Sequence, residues 1–310
     1  MPRPPRQPFP PRKGGAAGSR PAGKSADKSL GWDPVAAWYD KLVGESGSDY
    51  HRNVILPAAM RLLAPQAGEA VIDVCCGQGV LAVPLLTAGV ARFTGIDASP
   101  RLLDAAKSRH RNESKASWIQ ADACKPGAWA DGTYDAAACL MAVHDVEDIA
   151  GLFANMRLAL KIGGRAVLIL MHPCFRIPRK SHWGWDADQK IQFRRLDSYG
   201  TPLAIPITTH PGKGSGEETL FHHRPLADLL NALAVNLNHN VVALGWLCAN
   251  LGYARPSWDV VDELGLNPAS VDAELVGVLV ADEGRIVDDL AVERKHGWQT
   301  SNFHLGKSAS

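Results

Sequence analysis

Val71-Ile-Asp-Val-Cys-Cys-Gly-Gln-Gly-Val80 decides the fold: an apolar run of strand character reaches Asp73 and then turns through Gly77 and Gly79 toward a helix. A strand feeding a glycine turn and a helix N-terminus is how an open α/β sheet meets a nucleotide-like ligand, because outward-facing amides and missing side chains let the ligand approach the backbone. Charge then separates the candidate ligands. Gly77-Gln-Gly79-Val-Leu-Ala82, with Asp97 about 20 residues on, also fits the dinucleotide fingerprint. Asp73, four positions ahead of Gly77, repels a pyrophosphate at short range and attracts a cation.

S-adenosylmethionine carries an ammonium group and a sulfonium and no phosphate, so it meets that requirement. Asp73-Val-Cys75-Cys-Gly77-Gln-Gly79 resembles the acidic, glycine-rich first motif of class I S-adenosylmethionine-dependent methyltransferases. The departure is Cys75, where that family more often has glycine, and a cysteine there calls for ordinary backbone angles. The resemblance spans about residues 32 to 280, is strongest in the first two motifs, and leans toward the small-molecule, type 11 kind. It implies an α/β fold with a doubly wound, mostly parallel seven-stranded sheet, the Rossmann-like methyltransferase fold, with S-adenosyl-L-methionine as cofactor.

At 310 residues, 46% hydrophobic and 21% charged, the chain has the apolar content for one large domain with insertions. A net charge of +1 argues against a protein that is basic overall. Residues 1–30 are the exception, with seven basic side chains against Asp27 alone among prolines and glycines; they bury too little to fold and read as a basic tail. Such a tail suits RNA or an acidic surface, although a solvated tail is the simpler reading. No stretch approaches the roughly 20 apolar residues of a membrane span, and the basic N-terminus lacks the apolar core of a secretory signal. The six cysteines show neither metal-ligand spacing nor a disulfide framework, which points to reduced thiols, a cytoplasmic setting and no metal.

Periodicity predicts two helices within 33–64, split near 44–48, and then alternating elements: strands at 70–74, 92–96, 116–120, 134–140 and 165–171, helices near 79–88, 100–110 and 148–160. Residues 121–133 read as a loop, and Lys161-Ile-Gly-Gly164 as the glycine stop of the last helix. A helix at 224–236 and strands at 241–248 and 273–280 follow. The predicted organisation is the tail 1–30, a methyltransferase domain over 31–282, and a C-terminal tail over 283–310. Within the domain, 172–220 and 249–270 are insertions read as the lid and substrate region, because a long irregular segment inside an α/β domain is more often functional than filler.

Ligands sit beyond the carboxyl ends of such strands, at the point where strand order reverses. Asp73, Cys75, Cys76, Gly77 and Gly79 make the turn, and Asp97 with Ala98 ends the second strand, where an acid can accept from both ribose hydroxyls. Asp97 has N-capping as its alternative, for which Ser99 is the better residue. Asp122 and Ala123 follow the third strand, placed for the adenine amino group and a ring nitrogen, with a turn aspartate as the alternative. The fourth strand resembles the family's fourth motif, and its backbone near Cys139 and Leu140 is expected under the methionine part of the cofactor. From the N-terminal helices, Tyr39 and Arg52 are candidates to cap the cofactor carboxylate.

His144 and His172 end adjacent strands, near where a methyl group would point, and imidazole titrates near neutrality; both are candidate catalytic bases, with loop orientation as the alternative. Cys174 lacks the surroundings of a nucleophile and reads as a packed thiol. Trp183, Trp185, Phe193 and Tyr199 are candidates to wall an aromatic acceptor pocket. The expectation is methyl transfer to a small-molecule O or N acceptor. A nucleic-acid acceptor stands second, as an RNA methyltransferase using the basic tail; an NAD-dependent oxidoreductase or noncatalytic nucleotide-binding module stands third.

Overall fold

The computed structural model describes residues 31–208 and 217–237, and the backbone of four further strands between 241 and 300. The basic tail and the insertion at 249–270, Ala249 apart, lie outside the described residues.

Helix α1 (Ala36–Val43) comes first, and a π-helical turn (His51–Ile55) then leads into α2 (Leu56–Leu63). Next come β1 (Ala70–Val74), α3 (Ala82–Thr87), β2 (Arg92–Asp97), α4 (Pro100–Arg109), β3 (Ala116–Gln120), β4 (Tyr134–Leu140), α5 (Ile149–Ala159) and β5 (Leu160–Met171). These match the predicted strands and helices closely. The five strands are parallel and lie in the order β3-β2-β1-β4-β5, so strand order reverses between β1 and β4.

The sheet is central because its residues alternate between two apolar faces. Val71, Phe93, Ala138, Val167 and Ile169 face α2 and α3, packing on Leu56, Leu63, Leu81 and Leu85. Ile72, Val74, Ile96, Cys139, Leu168 and Leu170 face the other way, onto Leu152, Phe153 and Met156 of α5 and Leu229 and Leu233 of α6 (Leu226–Asn236). Full burial of each such side chain contributes roughly 1.5–3 kcal/mol, and a one-residue register slip would send every one of them to the wrong layer. Ser99 caps α4 by accepting from the Leu102 amide (3.2 Å), with Pro100 opening the helix, and Asp148 caps α5 through the Gly151 amide (2.9 Å).

Three expectations change. Lys161–Gly164 does not end a helix: α5 stops at Ala159, and the glycines form a bulge in β5, where Tyr134 pairs with Leu160 but Ala136 with Arg165. Gly163 takes φ 74° there, and a side chain on Gly164 would come within 2.9 Å of the Lys161 carbonyl. The segment 172–220 is not irregular throughout. It forms two antiparallel ribbons, β6 (Ser181–Asp186) with β7 (Ile191–Leu196) and β8 (Leu203–Thr208) with β9 (Glu218–His223). Past β5 the sheet continues through β10 (Val241–Ala249), parallel to β5, and β11 (Ala273–Ala281), antiparallel to β10, then β12 (Arg285–Arg294) and β13 (Gly297–Thr300). Nine strands therefore stand in line rather than seven. The extra two fall in the predicted tail, where Asp288 and Asp289 interrupt the apolar residues and hide any alternation.

Candidate functional site

The turn after β1 is latched to β2 by two bonds: the Cys76 amide donates to the Ile96 carbonyl (2.9 Å) and the Gly77 amide to Asp97 Oδ2 (2.9 Å). Gly77 (φ 54°) and Gly79 (φ 80°) occupy the left-handed region. Gly79 has a second reason to be glycine, since a Cβ there would lie 2.2 Å from the Trp118 ring on β3. Cys75 departs from the sequence expectation of ordinary angles: its φ is 61°, the conformation glycine would take. For a residue with a Cβ this costs on the order of 1–2 kcal/mol. Met141, just past β4, also has a positive φ (56°), so non-glycine strain flanks the reversal point at both strand ends. The neighbouring Cys139 thiol, together with burial, pushes the pKa of the Cys75 thiol well up. Burial does the same to Cys76, with Asp73 and Asp97 adding to it.

Asp73 sits between Gly95 of β2 and Ala138 of β4, is 3% exposed, and its Oδ1 has no hydrogen-bond partner among the described residues. Burial, and secondly the charge of Asp97, push its pKa up to about 8. Asp145, in the short 3-10 turn Val143–Asp145 after β4, is pushed well above the carboxylate range by burial; Asp97 adds to this, while the Trp32 side chain and Arg176 oppose it. The Tyr39 hydroxyl is raised by burial and then by Asp145, Asp97 and Asp73, so the phenol faces all three acids. Its ring lies against Gly77, 3.7 Å from where a Cβ would stand, and edge-on to Trp32 at 5.0 Å. Buried Asp73 with its orphaned oxygen, beside the partly buried Asp97 and Asp145, forms a site that a cation would neutralise. The cluster therefore fits a ligand bearing an ammonium and a sulfonium. Asp145 was missed in the sequence reading, and its signal was a carboxylate immediately beyond the strand neighbouring β1.

Asp97 accepts from the Gly77 amide through one oxygen and from the Ser99 amide (2.9 Å) through the other, leaving lone pairs on both. Burial raises its pKa against those bonds. Ala98 is exposed beside it. Asp122 takes the alternative reading as well as a place at the strand end: Oδ1 accepts from the Cys124 amide (3.0 Å), and the carboxylate pairs with Lys125 at 3.0 Å. Ala123 is buried, with its carbonyl held by Asn155 Nδ2 (3.0 Å). Cys139 is fully buried under the turn, and Leu140 follows it half-buried. Arg52 does not join them. Its guanidinium is bound to the Gly47 carbonyl and to Asp49, and the side chain is 47% exposed, because local acceptors in its own loop are nearer than the acid cluster.

A second cleft opens beyond β4 and β5, with Val143, His144, Leu170, Met171 and Arg176 on one side and Phe221, His222, His223, Arg224 and Leu229 on the other. His144 lies against the Phe221 ring (4.9 Å); its Nε2 is 3.7 Å from Asp145 Oδ2 and its buried Nδ1 is unpartnered. Burial, and then the charge of Arg176, lower its pKa to about 3. His172 does not line this cleft; its Nδ1 accepts from the Cys174 amide (3.1 Å), orienting the loop. The four proposed wall residues do not converge on the cleft either. Trp185 (61% exposed) and Phe193 (45%) stand out from the β6–β7 ribbon. Trp183 is covered by the Arg194 guanidinium at 4.9 Å, and the Tyr199 hydroxyl accepts from the Leu226 amide (3.1 Å). Ribbons expose one face when nothing packs on it, and periodicity cannot say which. Arg176, also missed, was visible only as one basic residue in Met171–Pro178.

Residues 71–164 match the family described as a methyltransferase domain. The demethylmenaquinone methyltransferase of Tropheryma whipplei is 33% identical over 117 residues, 37% of this chain and 48% of that protein. A 2-phytyl-1,4-naphtoquinone methyltransferase of Synechococcus elongatus is 31% identical over 146 residues, 46% of this chain and 62% of that protein. The chain thus spans about half the length of these relatives. The crystal structure of an S-adenosylmethionine-dependent methyltransferase from Mesorhizobium loti is 28% identical, with 58% of this chain and 78% of that one covered and a TM-score of 0.48. The matched residues contain the glycine turn and the carboxyls of Asp73, Asp97 and Asp145, and the family that they match is that of a methyltransferase domain.

Proposed function

We propose that the protein transfers a methyl group from S-adenosyl-L-methionine to an O or N atom of a small molecule, and that 31–282 act as one methyltransferase domain with the ribbons of 172–220 as its lid. The observation that carries this is Asp73 Oδ1, buried without a partner beside Asp97 and Asp145 at the strand-order reversal. When bound, the cofactor supplies an electrophilic methyl group on a sulfonium. Asp73 and Asp145 receive its positive charge, the free lone pairs of Asp97 take the ribose hydroxyls, and Tyr39 closes over Gly77. Asp122 and Ala123 sit at the adenine end, with Cys139 and Leu140 under the methionine part.

His144 is neutral across the physiological range because its pKa is near 3, so its free Nδ1 is available to accept a hydrogen bond from an acceptor X–H. Such a weak base takes a proton readily only from a strongly acidic group. An oxygen that has just gained a methyl is one and an ammonium is not, which favours O- over N-methylation. His172 acts as a positioning residue for the loop carrying Arg176. A small-molecule acceptor also accords with the relatives, whose names specify quinone substrates. No helix among the described residues is long and apolar enough to cross a membrane, and the five described cysteines are free thiols.

Calorimetric titration of the purified chain with S-adenosylhomocysteine and with NAD tests the reading. Binding of the first and not the second is expected; the reverse removes the proposal in favour of a dinucleotide enzyme.

A further inference from the structure

On the methyltransferase reading above, we infer that the acceptor carries a carboxylate and that Arg176 receives it as a specificity-determining residue. Among the described residues no carboxylate lines the cleft beyond β4 and β5, whereas two guanidiniums do. Arg224 is already committed, donating to the carbonyls of Val146 (2.7 Å) and Glu147 (2.5 Å). His223 is tied through Nε2 to the Tyr199 carbonyl (2.9 Å). Arg194, the neighbouring cation, donates to the Phe175 carbonyl and to Ser181 Oγ (2.8 Å). The guanidinium of Arg176 makes no hydrogen bond or close ion pair among the described residues, although Asp145 attracts it. Asp145 is a poor match, since burial and Asp97 hold it toward its neutral form.

A partly buried guanidinium without a matched anion is destabilised until a ligand supplies one. Burial, and then Arg194, weaken the hold of Arg176 on its proton, the state that an incoming anion relieves. The planar fork of guanidinium matches a carboxylate through two parallel bonds. Only one guanidinium is uncommitted, which suits one negative charge and not the two of a phosphate. The remaining walls, Leu170, Met171, Phe221 and Leu229, are apolar, which suits the hydrocarbon part of an acceptor. Asp145 and His144 join this cleft to the acid cluster, and His144 lines the same cleft as Arg176.

Benzoate, benzamide and inorganic phosphate, titrated calorimetrically into the full chain preloaded with S-adenosylhomocysteine, test this. Benzoate is expected to bind at least about tenfold tighter than benzamide and tighter than phosphate. Arg176→Met should erase the preference for benzoate while S-adenosylhomocysteine still binds. If Arg176→Met does not fold, Arg176→Lys carries the test, because it keeps the charge and loses the fork; a clear drop in benzoate affinity is expected. Benzoate binding no tighter than benzamide, phosphate matching benzoate, or benzoate affinity unchanged in either variant overturns the inference. A chain that binds no S-adenosylhomocysteine overturns the methyltransferase reading instead, so the two failures are distinguishable.

Discussion

Replacing Asp73 with asparagine should make the ligand-free protein more stable and the liganded one impossible to form. With a pKa of about 8 in the fold against 3.8 for an ordinary carboxyl, Asp73 resists ionisation where the unfolded chain ionises freely. The sign follows from proton counting. Between pH 4 and 8 the folded state binds more protons than the unfolded one, so stability falls as pH rises through that window. At about 1.4 kcal/mol per unit, the loss by pH 7 has an upper limit of about 4 kcal/mol. Asp73→Asn removes it with little change of shape. Urea unfolding of both proteins at pH 5 and pH 7.5 should show wild type losing stability over the interval and the variant losing less. The same carboxyl must ionise to receive an ammonium group, so binding of S-adenosylhomocysteine near pH 7 should release close to one proton. Calorimetry in buffers of different ionisation heat measures that number directly. An Asp73→Asn protein no more stable than wild type at pH 7.5, together with cofactor binding that releases no proton, would refute the reasoning.

Other consequences are as specific. Asp97→Ala should weaken S-adenosylhomocysteine binding by about 1.5–3 kcal/mol, the scale of a hydrogen bond to a charged group; an unchanged Kd removes Asp97 from the site. Cys75→Gly should stabilise the chain by about 0.5–1 kcal/mol, the relief of positive φ less the added freedom of the unfolded glycine, read by chemical denaturation. Gly79→Ala should destabilise it by about 2–3 kcal/mol, since a Cβ would overlap the Trp118 ring in a left-handed turn; a gain in Tm is the contrary result. His144→Ala should lower kcat by at least about 100-fold with S-adenosylhomocysteine affinity retained, and the wild-type rate should show no imidazole inflection between pH 5 and 8 because His144 titrates near 3.

The parallel half of the fold was legible because each strand announces itself. Val71, Ile72 and Val74, or Ala136 to Cys139, are continuous apolar runs closed by a turn, and buried parallel strands have no other appearance in sequence. Asp73 and Asp97 were legible for the complementary reason that a carboxylate ending such a run has no business in a core. What the pattern hid was conformation and aim. Cys75 at φ 61° carries no local sign of its left-handed backbone; only the family habit of glycine pointed there. Arg52, in the π-helical turn after α1, found acceptors in its own loop instead. The ribbons of 172–220 gave no periodicity strong enough to choose a face, so which aromatics turn inward depended on tertiary packing.

His144 and Asp145 are adjacent in sequence and separate two fields of opposite sign. On one side Asp73, Asp97 and Asp145 gather carboxyls that a cation would ionise around the glycine turn; on the other Arg176 and Arg224 line a cleft with no carboxylate among the described residues. In a low-dielectric crevice such fields act strongly over short distances, so a cationic donor and an anionic acceptor are each drawn to one side and kept from the other. The arrangement also couples the two sites. A cation that pairs with Asp145 satisfies that carboxyl in place of Arg176, leaving the guanidinium for an incoming carboxylate. Cofactor should then raise acceptor affinity, and by reciprocity acceptor should raise cofactor affinity by the same factor. Benzoate titrated into the chain with and without S-adenosylhomocysteine measures that factor, and a value of one would show that the two fields act independently.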